Sequence, residues 1–122
     1  MIKGLRLSSI WSEDLNNLLP FYRDVVGLNV GMESPGFVIL GDPNGPAVAL
    51  GTHSEVRGPA KEPARHIVAL ETDDVDAEFA RLKGRGVTFI EEPSSPGPGV
   101  RVATFTDPEG NLLQLVQVPS VL

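Results

Sequence analysis

The stretch Asp107-Pro108-Glu109-Gly110-Asn111-Leu112-Leu113-Gln114-Leu115-Val116-Gln117 is a tight turn feeding directly into a strand. Pro108 presets φ for the second position of the turn, Asp107 can bond its own backbone two residues on, and Gly110 accepts a left-handed position. Beyond the turn, the period of two puts Leu112, Gln114, Val116 and Val118 on one face and Leu113, Leu115 and Gln117 on the other. Gln114 is therefore expected among apolar neighbours on a buried face, where hydrogen bonding at a sheet edge is the ordinary explanation for a lone glutamine.

The turn occurs twice. Asp42-Pro43-Asn44-Gly45-Pro46-Ala47-Val48-Ala49-Leu50 has the same Asp-Pro-x-Gly opening and again leads into a short apolar run, with Asp42 and Asp107 lying 65 residues apart. A turn repeated at that spacing is a mark of internal duplication.

In the first half, alternation from Leu5 to Trp11 predicts a strand. Leu15, Leu18, Leu19, Tyr22, Val25 and Val26 then recur at helical spacing and predict a helix over 13–26, with Ser12 or Asp14 as its cap and Gly27 as its stop. Pro20 removes a hydrogen bond from that helix, so it either bends it or moves its start later. Strands are expected at 28–33, 37–40 and 47–51, separated by Gly, Pro and Asn. Residues 52–64 lack periodicity, contain Pro59 and Pro63, and read as a linker.

The second half repeats the order. A strand at 66–71 precedes a helix at 74–83 with Val75, Phe79 and Leu82 on one stripe and a stop at Gly84 and Gly86. Strands follow at 87–91 and 100–106, then the turn and the last strand. Asp14 matches Asp73, and Gly27 matches Gly86, both at 59 residues. The change from 59 to 65 is taken up by Pro93-Ser94-Ser95-Pro96-Gly97-Pro98-Gly99, for which loop statistics favour a long hairpin connection over a mobile lid. The expected architecture is α+β, two tandem β-α-β-β-β modules over 1–58 and 64–122.

Composition narrows the function. The 122 residues carry a net charge of −6, with 41% apolar and 21% charged residues, typical of a soluble globular chain. No basic stripe offers a footprint for nucleic acid. The absence of cysteine excludes disulfides, thiolate metal sites and a thiol nucleophile. No apolar run approaches membrane length and Met1-Ile2-Lys3-Gly4 lacks a signal core, so the expected location is the cytoplasm. No Ser-His-Asp arrangement, phosphate-cradling glycine loop or His-x-x-x-His helix is present. Asp73, Asp74, Asp76 and Glu78 fall in the first turn of a helix, where carboxylates complement the macrodipole.

Phe21-Tyr22-Arg23-Asp24-Val25-Val26-Gly27-Leu28, together with the Asp107 to Leu113 turn, resembles the glyoxalase/bleomycin-resistance/extradiol-dioxygenase superfamily, the vicinal oxygen chelate proteins. The resemblance covers essentially the whole chain. It implies modules that curl into half-open sheets around a cleft, in which family enzymes hold a divalent metal with one residue from the first and one from the last strand of each module. Counting seven residues before the helix-start aspartate gives Leu7 and His66. Seven after the turn aspartate gives Ala49 and Gln114. Only His66 and Gln114 can ligate, a set too weak for a firmly held divalent ion.

No cofactor is therefore expected, and the resemblance then implies a metal-free protein that binds a drug-like or aromatic molecule. Leu7, Trp11, Phe37 and Ala49, with Met32 and Ile39 nearby, would line the pocket, and His66 and Gln114 would orient the ligand. The alternative is a metal-dependent lyase, isomerase or dioxygenase acting on vicinal oxygens, and a structural module without ligand is a third. His53, four residues past the last strand of the first module, is expected to be a solvated loop residue at the rim. Uncovered edge strands predict a homodimer.

Overall fold

The computed structural model describes residues 1–42 and 44–119. Pro43 of the first turn, and residues 120–122 at the end of the second module, lie outside the described residues. The chain separates into two compact units, Met1–Gly58 and Pro59–Leu122. Among the described residues no helix is long and apolar enough to cross a membrane.

The first unit holds β1 (Leu7–Ser12), β2 (Val30–Ser34), β3 (Phe37–Leu40) and β4 (Ala47–Thr52) in the order β1-β4-β3-β2. The second holds β5 (Val68–Glu71), helix α1 (Val75–Gly84), β6 (Phe89–Gly97), β7 (Val100–Thr106) and β8 (Leu112–Gln117) in the equivalent order β5-β8-β7-β6. In each sheet the first and last strands pair in parallel and the remaining pairs are antiparallel. The expected β-α-β-β-β order is thus present twice, and this is the glyoxalase/bleomycin-resistance fold.

One helical segment covers one face of each sheet. In the first unit Ile10, Val38, Leu40, Val48 and Leu50 share a face by strand register and are buried along with Leu15, Leu18, Leu19 and Tyr22. The helix expected over 13–26 does not run through. It splits into a 3-10 turn at Leu15–Asn17 and a wide π-type helix at Phe21–Val26 whose N-cap is Pro20. Proline has no N–H for a preceding carbonyl, so it begins a helical segment rather than sitting inside one.

Both ends of this segment are held as the sequence suggests. Asp14 is the cap and accepts from the Asn16 N–H, while the buried Ser12 hydroxyl bonds the N–H and the carbonyl of Asp14. Gly27 adopts φ 91°, and the N–H groups of Gly27 and Leu28 both reach the Tyr22 carbonyl.

In the second unit Ala103, Phe105, Leu113 and Leu115 are buried with Val75, Leu82 and Val87. Phe79, Phe89 and Phe105 form a row with ring centroids 4.7 and 5.3 Å apart. Three contacts fix the start of α1. Asp74 caps the Ala77 N–H, the Gln117 amide oxygen accepts from the Val75 N–H at 2.9 Å, and the Arg101 guanidinium forks onto Asp76 at 2.6 and 2.8 Å. Asp76 therefore does more than complement the macrodipole. It ties the helix to β7.

The Asp107 turn is closed by its own side chain. The carboxylate, buried to 5% exposure, accepts from the N–H groups of Glu109 and Asn111 and from the Asn111 amide, at 2.8, 2.9 and 2.8 Å. Gly110 takes φ 82°. The earlier copy is looser, because Asp42 holds the Asn44 N–H while Pro46, at the position of Asn111, has no N–H to add.

Several boundaries move. β1 begins at Leu7 rather than Leu5, β2 at Val30 rather than Leu28, and β5 at Val68 rather than His66, whereas β3 and β7 fall where periodicity puts them. The strand expected at 87–91 begins at Phe89 and continues through Pro93 and Pro96 to Gly97, turning at Pro98 and Gly99. The insertion thus forms the arm of a long hairpin with an irregular register against β7. It lies on an edge strand, where proline costs no ladder bond.

Strand register also corrects the correspondence between the modules. Ala49 lies between Ser9 and Ile39, and Gln114 lies between Ala69 and Thr104. The side-chain caps are Asp14 and Asp74, not Asp73. First strand and helix start therefore correspond at 60 residues, so Ile67, rather than His66, is the counterpart of Leu7. A slip of one residue along a strand exchanges its two faces.

Asp107→Ala leaves three donors without their acceptor and is expected to cost about 1.5–3 kcal/mol in urea unfolding, against less than about 1 kcal/mol for Asp42→Ala. The hydrogen bond from Arg101 holds the Asp76 carboxyl below the ordinary aspartate value. Its contribution is then present above about pH 3.9 and is lost as pH falls through the lowered native value. NMR titration should show Asp76 with a midpoint below about 3.9, moving back towards it in Arg101→Gln.

Candidate functional site: the uncovered face of the first sheet

The residues facing away from the helical segment follow from the pairings. Leu7, Ser9 and Trp11 of β1 stand beside Ala47, Ala49 and Gly51 of β4, which in turn stand beside Ile39 and Phe37 of β3, with Met32 of β2 next to Ile39. This face is apolar with small residues down its middle. Trp11 remains 42% exposed and Met32 46% exposed, although an exposed indole is costly to leave in water.

Trp11 is held in place from three sides. Its ring centroid lies 6.0 Å from that of Phe37, tilted by 31°, and 5.6 Å from the His53 imidazole, nearly perpendicular at 76°. Its benzo edge occupies the space a side chain on Gly51 would need, Cη2 coming within 3.1 Å of a Cβ built there and Cε3 within 2.6 Å. Gly51 has ordinary strand pairing on both sides, so its lack of a side chain is what admits the indole.

His53 is held in place although its ring is only half-buried. Its N–H donates to the Ser12 carbonyl at 2.9 Å, its carbonyl accepts from the Val56 N–H at 3.1 Å, and its Nδ1 accepts from the Glu55 N–H at 3.0 Å. His53 does lie in a loop past β4, as expected, but these bonds and the ring's half-buried position against Trp11 hold it in one place. A hint was present in the sequence: His53 follows Gly51 by two, on the same side of a continuing extended chain as Trp11's partner.

In the second unit the face turned away from α1 is partly closed, with Thr104 and Leu112 buried. Gln114 lies there with Leu112 and Val116, flanked by Thr104 and Ala69. The face expected to be buried is partly so, Leu112 being buried and Gln114 and Val116 half-buried, and the opposite face, with Leu113, Leu115 and Gln117, is the one turned towards α1. The Gln114 amide has no hydrogen-bond partner among the described residues, and none of their buried side-chain nitrogens or oxygens is unpaired, so the half-buried amide reaches solvent. His66 is exposed and precedes β5 by two residues. Continuing the register, it lies three residues back from Ala69, about 10 Å along the strand and on the other face from Gln114.

A chelated divalent ion does not fit these positions. Leu7 and Ala49 have no donor atom, Ile67 replaces His66 at the corresponding first-strand position, and Gln114 alone would ligate. Among the described residues, no group of three or more His, Cys, Asp or Glu side chains is placed to hold a metal.

The comparisons agree with this fold. The chain is 32% identical to TnmS3, an antibiotic binding protein from Streptomyces sp. CB03234, covering 97% of this chain and 98% of that one with a TM-score of 0.73. It is 29% identical to the uncharacterized protein YwbC of Bacillus subtilis, over 96% of this chain and 99% of that protein. A 44-residue segment is 50% identical to the uncharacterized protein YurT of the same organism, spanning 36% of this chain and about a third (34%) of YurT. The profile of the Glyoxalase/Bleomycin resistance protein/Dioxygenase superfamily matches residues 6–115, from the strand before the first helical segment to the middle of β8, and the chain belongs to that superfamily.

Proposed function

We propose that this protein binds a small aromatic or drug-like molecule on the Trp11 face of its first unit, without a metal. The observation that carries this reading is the exposed indole locked between Phe37 and His53 above a glycine that makes room for it. Exposed aromatic rings that are already ordered lose little entropy on binding, so most of the stacking energy is available to the ligand. Leu7, Ile39 and Met32 supply the apolar surround, whereas Ala49 is fully buried within the sheet and, against expectation, offers no surface to a ligand. Similarity to TnmS3, described as an antibiotic binding protein, supports the same class of ligand.

The donor chemistry leaves metal-assisted turnover without support, since Gln114 is the single ligating residue at the four corresponding positions. Gln114 is proposed as an orienting amide on the second unit's own face, and His66 as a bystander. We also propose a homodimer: edge strand β2 is exposed at every position and carries Val30 and Met32 outward.

Trp11 is the sole tryptophan, so its emission reports on the site directly. Titration with 2-acetylnaphthalene should perturb Trp11 emission saturably. Gly51→Ala, which forces the indole aside, should weaken binding about two- to twelve-fold while costing about 0.5–1.5 kcal/mol in stability, the size of a lost aromatic pair. Unchanged affinity in Gly51→Ala would remove Trp11 from the site. Chelator treatment and His66→Ala should each leave the affinity within about two-fold of wild type.

A further inference from the structure

His53 has an unused hydrogen-bonding atom in a fixed direction. Nδ1 is occupied as the acceptor of the Glu55 N–H, so in the neutral ring the proton must sit on Nε2. The bond from Glu55 needs an unprotonated Nδ1, so the ring that keeps it has Nε2–H as its donor. The imidazole makes no other hydrogen bond among the described residues. Because none of their buried side-chain nitrogens lacks a partner and the residue is half-buried, Nε2 reaches solvent.

The ring cannot easily turn away. Its backbone is bonded to Ser12 and Val56, its Nδ1 to Glu55, and its flank packs on Trp11. A molecule in contact with the indole lies within reach of an imidazole whose centroid is 5.6 Å from it. We propose that His53 is a specificity-determining residue whose Nε2–H donates a hydrogen bond to a neutral acceptor oxygen, a carbonyl or ether, carried by the aromatic ligand seated at Trp11.

This rests on the binding reading above and adds the ligand's polar group to it. A neutral oxygen is favoured over a carboxylate because the chain carries a net charge of −6, and Glu13 and Glu55 lie on the same segments as Trp11 and His53. An aromatic without an acceptor would cover the donor and leave it without its water, so the site discriminates by penalty as well as by attraction.

Two probes isolate the hydrogen bond. 2-Acetylnaphthalene and 2-isopropenylnaphthalene have nearly the same shape and differ by an oxygen in place of a methylene. Dissociation constants for both are measured on wild type and on His53→Phe, which keeps an aromatic ring against Trp11 and deletes the donor. The ketone's advantage over the alkene, as a ratio of constants, should fall about two- to twelve-fold in His53→Phe. Should the variant lose its fold, the His53 Nε2–H resonance of the wild-type protein gives the same answer, moving downfield with the ketone and not with the alkene. If both probes bind wild type but the ratio is unchanged in a folded His53→Phe, or the resonance responds alike to both, the role of His53 is wrong and the aromatic site stands. If neither probe binds wild type, the aromatic site itself is wrong.

Discussion

A four-stranded sheet has two faces, and each unit of this chain has one helical segment with which to cover them. That segment joins the first strand of each unit to the second, and these two strands form opposite edges of the sheet, so it must cross over one side. The other side is left to whatever the side chains of alternate positions provide. In the first unit that remainder is Leu7, Trp11, Ile39 and Phe37 around a strip of Ala47, Ala49 and Gly51. In the second it is the mixed set of Leu112, Gln114, Thr104 and Val116, of which Leu112 and Thr104 are buried.

The two faces have diverged in chemistry while their covered sides have kept the same construction. Leu15, Leu18 and Tyr22 play for the first sheet the part that Val75 and Leu82 play for the second. The site follows from small residues in the middle of a strand. A larger residue than glycine at 51 would push the indole off its seat, and with it would go the tilted contact with Phe37 and the edge contact with His53. Apolar surface that is ordered, exposed and unused by the core is surface available to a ligand.

Much of this was legible in the sequence where one residue type meets one local demand. The Asp107 turn, the left-handed stop at Gly27 and the bounds of β3 and β7 were readable because they depend on neighbours in the chain. The break at Pro20 was legible as a defect but not as two helical pieces of different pitch, since no single residue type specifies a 3-10 turn followed by a π-type helix. The correspondence of the modules was misread by one residue because Asp73 and Asp74 are both plausible caps, and only hydrogen bonding to Ala77 and the pairing of β5 with β8 choose between them. His53 was underrated for a similar reason. Its value lies in a backbone N–H two residues later and in a tryptophan 42 positions earlier, and the second relation is invisible until β1 and β4 are seen side by side.

The central claim is that the uncovered face of the first sheet, and not the covered one, takes an aromatic ligand. Amide chemical-shift mapping with 2-acetylnaphthalene tests it most directly. Saturable shifts are expected at Ser9, Trp11, Ile39, Gly51 and His53 and at the Trp11 indole N–H. Saturable shifts confined to Leu15–Val26, or an unperturbed Trp11 at saturation, would contradict it.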